Sequence, residues 1–459
     1  MTADLAPLPD RQKPPPPRWA VVTVADLLHS GVIRAHKDGN HGSNYPRAAE
    51  FSDKGIPFLT AKLLDDGHTD IDSAPRLPDE RADSLRIGFV QPGDVLLSHN
   101  ATIGRVAVVP AYTGRLLIGT SLTYFRLDKT RLIPNYLAAF FRGAYFQNQL
   151  KAFMSHSTRN QVPITAQRHL QIVVPPVEEQ LAITSILDAF DDHIDLLRQT
   201  NATLEAIAQA LFKSWFVDFD PVHAKVEGRE PEAMGAATAA LFTSEFEASE
   251  LGLIPKGWRA TTLREAFEIN PRRPLRKGAP APYLDMASVP TSGHVPTPPA
   301  DREFSSGTKF QNGDTLLARI TPCLENGKTA HVDFLDDGQI GWGSTEFIVL
   351  RPKAPLTPYF GYLLARQRDF RAFAIQAMTG TSGRQRVELG QLDQFLLTIP
   401  DEAVAAAFGS FVEPIRKAIS ANADRAAALS ALRDTLLPRL ISGKLRLPKG
   451  TEVAEECVA

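Results

Sequence analysis

Two stretches of this chain carry apolar residues at alternating steps of four and three. The first runs Ile183, Leu187, Phe190, Ile194, Leu197, Asn201, Leu204, Ala208 and Leu211. The second runs Phe408, Val412, Ile415, Ile419, Asn422, Ala426, Leu429 and, near its end, Leu436. Such spacing predicts a long helix with a narrow heptad seam. From Ile183 to Leu211 the first would span about 42 Å at 1.5 Å per residue. A seam that narrow requires a partner helix of matching length, and the other copy supplies one. Antiparallel pairing would give a coiled coil with approximate two-fold symmetry and would hold two modules apart. Asn201 and Asn422 interrupt the seams at equivalent places, where a polar residue either fixes register or simply faces water.

Shorter signals surround these helices. Runs such as DVLLS, TYFRL and QIVVP read as strands, and PNYLAAFFRGAYFQNQLKAFM reads as helix opening on a proline. These elements recur in order. Trp19 answers to Trp258, IPFLTAKLL (56–64) to APYLDMASV (281–289), and GDVLLSHNATIGRVAVV (93–109) to GDTLLARITPCLENGKTAHV (313–332). Pro134 then answers to Pro358, and SHSTRNQV (155–162) to TGTSGRQRV (379–387). The offset drifts between the early elements and holds at 225 through the helices (Ile183 to Phe408). Insertions between preserved elements produce such drift, so the period marks duplicated domains.

The expected fold class is therefore α/β (α+β), duplicated, with two long antiparallel helices between the copies. Its expected divisions are a disordered or stiff leader (1–18), a first module (19–174), a first spacer helix (175–220) and a linker (221–256). A second module (257–399), a second spacer helix (400–442) and a tail (443–459) complete it. The linker is rich in Ala, Glu, Gly and Pro and has room for one short helix.

Composition alters this picture little. Apolar residues make up 43% of the 459, charged residues 22%, and the formal net charge is −2. No global basic footprint marks a nucleic-acid partner, although local basic loops remain compatible. Two cysteines, Cys323 and Cys457, argue against a disulfide framework or a zinc site and fit a cytoplasmic setting. No apolar run suffices to span a membrane, and Asp4 interrupts the early sequence, so no signal peptide is expected.

Catalytic motifs are missing. Asn270-Pro271-Arg272-Arg273 lacks the second proline and aromatic of an adenine methyltransferase tetrapeptide. Gly327-Lys328-Thr329 ends like a phosphate loop, but Pro322 stands where its first glycine belongs. No GxSxG elbow and no metal-ligand spacing occurs, and Asp191-Asp192 read as a solvated helix face. A non-catalytic chain is expected.

Two loop pairs suit a nucleic-acid reader better. Ser157, Thr158, Arg159, Asn160 and Gln161 match Thr381, Ser382, Arg384, Gln385 and Arg386 in the second copy. His99, Asn100 and Arg105 match Arg319, Thr321 and Lys328. Arginine bonds guanine, Asn and Gln bond adenine, and hydroxyls hold phosphates. The plain alternative is a polar turn between helix and strand.

The run LFKSWFVDFDPV (211–222), followed by GREPEAM (228–234) and IPKGW (254–258), resembles the specificity subunits of type I restriction-modification systems. LLPRLISGKLRL (436–447) and PPVEEQLAI (175–183) resemble that family's second helix ending and first helix opening. The resemblance implies two target recognition domains, each reading half of a bipartite asymmetric DNA sequence, with the helices as ruler. It implies two modification subunits bringing S-adenosylmethionine chemistry at adenine N6. Two restriction subunits would bring ATP- and Mg-dependent translocation and cleavage. No cofactor falls to this chain. Trp215, Phe216, Phe219 and Leu440, if exposed where helices meet modules, would dock the modification subunits. Packing beneath the modules is the alternative. A stand-alone duplicated DNA-binding regulator or scaffold is the other class to weigh.

Overall fold

The computed structural model describes residue 16 and residues 18–40, 42–65, 67–155, 160–381 and 383–446. By contacts the chain divides into two compact units. One holds the residues through His193 together with those from Ala428 onward; the other is Ile194–Ala427.

In the first unit an antiparallel sheet runs in the spatial order Ile33–Asp38, Leu122–Leu127, Val95–Ser98, Val106–Val108. A second sheet runs Arg76–Leu77, Ile56–Leu59, Leu116–Ile118, Phe89–Val90, with one parallel pair at its centre. Ala20–Thr23 pairs antiparallel with Gln171–Val174. The second unit repeats each feature. One sheet is Phe267–Ile269, Phe347–Pro352, Thr315–Ala318, Thr329–His331. The other is Ala300–Glu303, Pro280–Leu284, Gly341–Gly343, Thr308–Phe310, again with a central parallel pair. Arg259–Thr262 pairs with Leu396–Ile399.

The continuous apolar runs in the sequence follow from where the first sheet of each unit lies. Side chains alternate between faces along a strand. Val95 and Leu97 enter one apolar cluster while Leu96 enters another. In the second unit Leu317 and Leu316 divide in the same way. A sheet buried on both faces needs apolar residues at successive positions. The turn before these strands is also built twice. Gly93 and Gly313 take positive φ, and Asp94 and Asp314 accept from the backbone N–H of Gln91 and Gln311, both at 2.8 Å. Arg126 and Arg351 each close on that carboxylate at 2.7 Å.

The helices Pro134–Arg142 and Pro358–Arg366 both open on proline, whose missing N–H costs nothing in a first turn. The long helices are Val177–Phe216 and Glu402–Ile441, 40 residues each. Both cross from one unit to the other, and within each unit they pair antiparallel. In the first unit Ile183 and Leu187 share a core with Leu436, Leu440 and Ile441. In the second, Phe408 packs on Phe216 at 4.7 Å and Trp215 at 5.5 Å between ring centroids, and Asn201 meets Ile419 and Asn422. Of the other seam residues, Ile194, Leu197 and Ile419 are buried; Phe190, Leu204, Leu211, Ile415 and Leu429 are half-buried.

The linker carries a short helix, Asp220–Val226, as its sequence leaves room for, and also a hairpin of Phe246–Ser249 with Gly252–Pro255, while Phe242 packs edge-on against Trp215 at 4.9 Å. One expectation needs correction. Asp191 does not face solvent freely, because Arg433 closes on it at 2.5 Å. Among the described residues no helix is long and apolar enough to cross a membrane.

Candidate nucleic-acid interface

The two loop regions singled out in each copy come together, and in the same way. In the first unit the chain leaving Val95–Ser98 bridges to the segment that begins at Asn160: Asn100 pairs with Gln161. Ala101 N donates to Asn160 O at 3.3 Å, and Val162 N donates to His99 O at 2.9 Å. In the second unit Ile320 pairs with Arg386, Thr321 N donates to Gln385 O at 3.1 Å, and Val387 N donates to Arg319 O at 2.9 Å. Even the anchor behind the loop repeats, His99 N to Ser121 O at 3.0 Å and Arg319 N to Glu346 O at 2.8 Å. Backbone pairing thus joins two distant sequence segments into one loop surface per unit.

The side chains on these frames differ. Asn100 and Gln161 line a shallow polar cleft with Gly42, Tyr45 and Thr120. Asn160, Thr381 and Arg384 are exposed, and Gln385 is half-buried. Arg386 is exposed, but Glu346 holds it by two nitrogens, at 2.9 and 2.7 Å. Among the described residues, amides dominate the first surface and Arg384 and Arg386 the second, an arrangement suited to unlike base edges.

Several expected DNA contacts have other work. His99 is buried beneath its loop and cannot reach a base. The Arg105 guanidinium donates to the carbonyls of Ala61 and Leu64 at 3.3 and 3.0 Å, so it fastens a neighbouring loop. Lys328 donates likewise to Met286 O at 2.6 Å and Ala287 O at 3.2 Å. Arg319 is half-buried with Nε on Val387 O at 3.2 Å. Thr321 is buried, and its hydroxyl accepts from Gln385 N at 3.1 Å. Arg105, Lys328, Arg319 and Thr321 thus each bond a backbone group of a neighbouring segment. Ser157, Thr158, Arg159 and Ser382 lie outside the described residues.

The docking candidates also need correction. Trp215, Phe216 and Leu440 are interior residues, and Phe219 packs half-buried edge-on against Trp258 at 5.7 Å. Their large apolar surfaces complete the cores under the modules instead of remaining on the outside.

A buried polar network that the sequence does not advertise sits under the first unit's loop. Gln167 is fully buried; its Nε2 donates to Val162 O at 3.0 Å and Thr123 Oγ1 at 3.1 Å. Its Oε1 lies 3.0 Å from His36 Nε2, which must therefore carry the proton. The His36 ring stacks on Phe125 at 4.5 Å, and burial pushes this imidazole down to about 4. At the matching places the second unit has Ile269, Ile348 and Leu392, all apolar. Only the strand register identifies His36 with Ile269, since these residues oppose Phe125 and Leu350 respectively.

Residues 18–206 match the model of a family described as type I restriction modification DNA specificity domain. The chain is 25% identical over 419 residues to the type I restriction enzyme MjaIX specificity subunit of Methanocaldococcus jannaschii, covering 85% of this chain and 87% of that one. It is 22% identical over 425 residues to the HindI specificity subunit of Haemophilus influenzae, covering 82% and 91%. The solved S subunit of a type I restriction-modification system from M. genitalium is similar with TM-score 0.47 and 15% identity, over 94% of this chain and 97% of that one.

Proposed function

We propose that this chain is a specificity subunit of a type I restriction-modification system and that it reads a bipartite, asymmetric DNA target for catalytic partners. The observation that carries the reading is the repeated loop junction, Asn100 with Gln161 and Ile320 with Arg386. One frame occurs twice with different side chains on it, which suits two unlike half-sites.

In this reading the chain performs no chemistry. Two modification subunits would methylate adenine N6 with S-adenosylmethionine, and two restriction subunits would translocate and cut with ATP and Mg. The chain would supply the address alone. Amides in the first cleft would meet adenine edges, and Arg384 in the second surface would meet guanine. The long helices would set the gap between half-sites.

The test is reconstitution with a modification subunit and with DNA of randomised sequence. Methylated adenines should fall in one split sequence, and the lone chain should methylate nothing. Methylation by the chain alone would overturn the reading. So would a complex whose target is a single unbroken sequence. Specific binding that needs no methyltransferase would favour a stand-alone regulator.

A further inference from the structure

Arg142 and Arg366 are the last residues of the two corresponding proline-opened helices. Each reaches a carboxylate of the first long helix. In the first unit Arg142 lies 3.4 Å from Asp191, and Arg433 of the second long helix closes on that same carboxylate at 2.5 Å. In the second unit Arg366 Nε lies 3.4 Å from Glu205 and donates at 2.9 Å to the Tyr362 hydroxyl, which in turn donates to the same carboxylate oxygen. The remaining Arg366 nitrogens donate to the carbonyls of Thr291, Gly327 and Gly293 at 2.7, 3.0 and 2.9 Å. These groups are largely withdrawn from water. The side chains of Arg366 and Glu205 are 9% and 14% exposed, those of Arg142 and Asp191 21% and 16%.

The arginines correspond between copies, but the acids do not. At the helical offset of 225, Arg416 stands where the second copy would repeat Asp191, and Ser430 where it would repeat Glu205. Duplication of one unit therefore does not by itself produce the second ion pair. Each copy satisfies its arginine with an acid of its own.

Resting on the bipartite reading above, we propose that Arg142 and Arg366 are positioning residues that lock each recognition domain on the long helices. They thereby restrict the number of base pairs allowed between half-sites. Apolar packing is non-directional and lets a domain rock on its helix. A charge-assisted bond within a nearly dry interface fixes an angle. Leverage makes this matter. For a domain of roughly 15 Å radius, a tilt of about 13° moves its reading surface by one base-pair step, roughly 3.4 Å. Without the lock, a gap one base pair longer or shorter becomes readable.

The experiment uses the full chain assembled with a modification subunit. Methylation rates are measured on duplexes with fixed half-sites and gaps changed by one base pair. The variants are Glu205→Gln, Asp191→Asn, Arg366→Ala and Arg366→Lys, each checked for an unaltered melting profile at the assay temperature. Glu205→Gln and Asp191→Asn keep shape and remove charge, so they cover the case in which Arg366→Ala fails to fold. The expected result is loss of gap discrimination with unchanged half-site bases, and partial recovery in Arg366→Lys. Folded variants that still reject the altered gaps would overturn the proposal, as would a uniform loss of rate at every gap. If the unmodified complex methylates no split sequence, the failure lies with the bipartite reading instead.

Discussion

Asn422 donates through Nδ2 to Asn201 Oδ1 at 2.9 Å, so the two polar residues that interrupt the seams meet each other across the helix pair. Asn201 in turn donates to Ile419 O at 3.0 Å. The pairing holds only when the helices are in this register, because a slip of one turn would leave both amides facing apolar neighbours. Replacing Asn201 alone by Leu strands Asn422 and should cost about 1–3 kcal/mol. The double replacement by Leu should recover most of that and loosen the register. Thermal melts of both single variants and the double variant give the coupling. A double variant as unstable as the sum of the singles would refute it.

Arg384 and Arg386 separate affinity from architecture. Arg384 is exposed, whereas Arg386 is held by Glu346. Arg384→Ala should leave the melting temperature nearly unchanged and weaken binding to the second half-site by about 1–3 kcal/mol if it bonds a base edge in the fork geometry. Arg386→Ala should weaken binding less. Titration of labelled target duplex at two salt concentrations measures both.

Gln167 supports the first loop from below. Gln167→Leu copies the apolar solution of the second unit but leaves Val162 O and Thr123 Oγ1 without their donor. A cost of about 1–3 kcal/mol is expected, with weaker discrimination at the first half-site and none lost at the second. Binding to duplexes mismatched in one half at a time decides this.

Acid should loosen the first unit through His36. Its folded value of about 4 lies below the ordinary 6.5, so the unfolded chain takes up the proton first. The stabilisation is complete above pH 6.5 and is lost as pH falls from there toward about 4, on the order of 3 kcal/mol in all. His331, pushed down to about 3 by burial, acts in the same direction in the second unit. Amide exchange at pH 7 and pH 5 should show faster opening in both units. His36→Phe should remove the pH dependence from the first unit only.

Trp215 tests the corrected docking candidates. Buried against Phe408 and Phe242, Trp215→Ala should cost about 3–5 kcal/mol as a cavity. A variant of unchanged stability that lost only its partner subunit would restore the surface role.

Much of the fold was legible because its signals are local. Four-three spacing marks the long helices, proline marks Pro134 and Pro358, and the Gly-Asp pairs at Gly93 and Gly313 mark their turns. The loops at 98–105 and 155–162 also stood out as polar and recurrent. What their residues do was not legible. His99 and Lys328 look like DNA contacts in sequence, and packing gives both to the interior framework. Asp191 looked like a solvated charge because nothing nearby in sequence indicates that Arg433 will meet it. Arg142 and Arg366 end matching helices, and that recurrence is visible in the sequence.

The sequence by itself determined the duplication, the strands and helices within each copy, and the seam that pairs the helices. Each depends on spacing along the chain, which backbone geometry converts directly into faces. Only the tertiary structure decided which polar groups are buried, which are bonded, and which remain to meet a ligand. Those outcomes depend on contacts between residues far apart in sequence, where desolvation leaves a charge costly until a specific partner arrives. Asn201 shows both halves: its seam position is visible in the sequence, and its role appears only where Asn422 is placed against it.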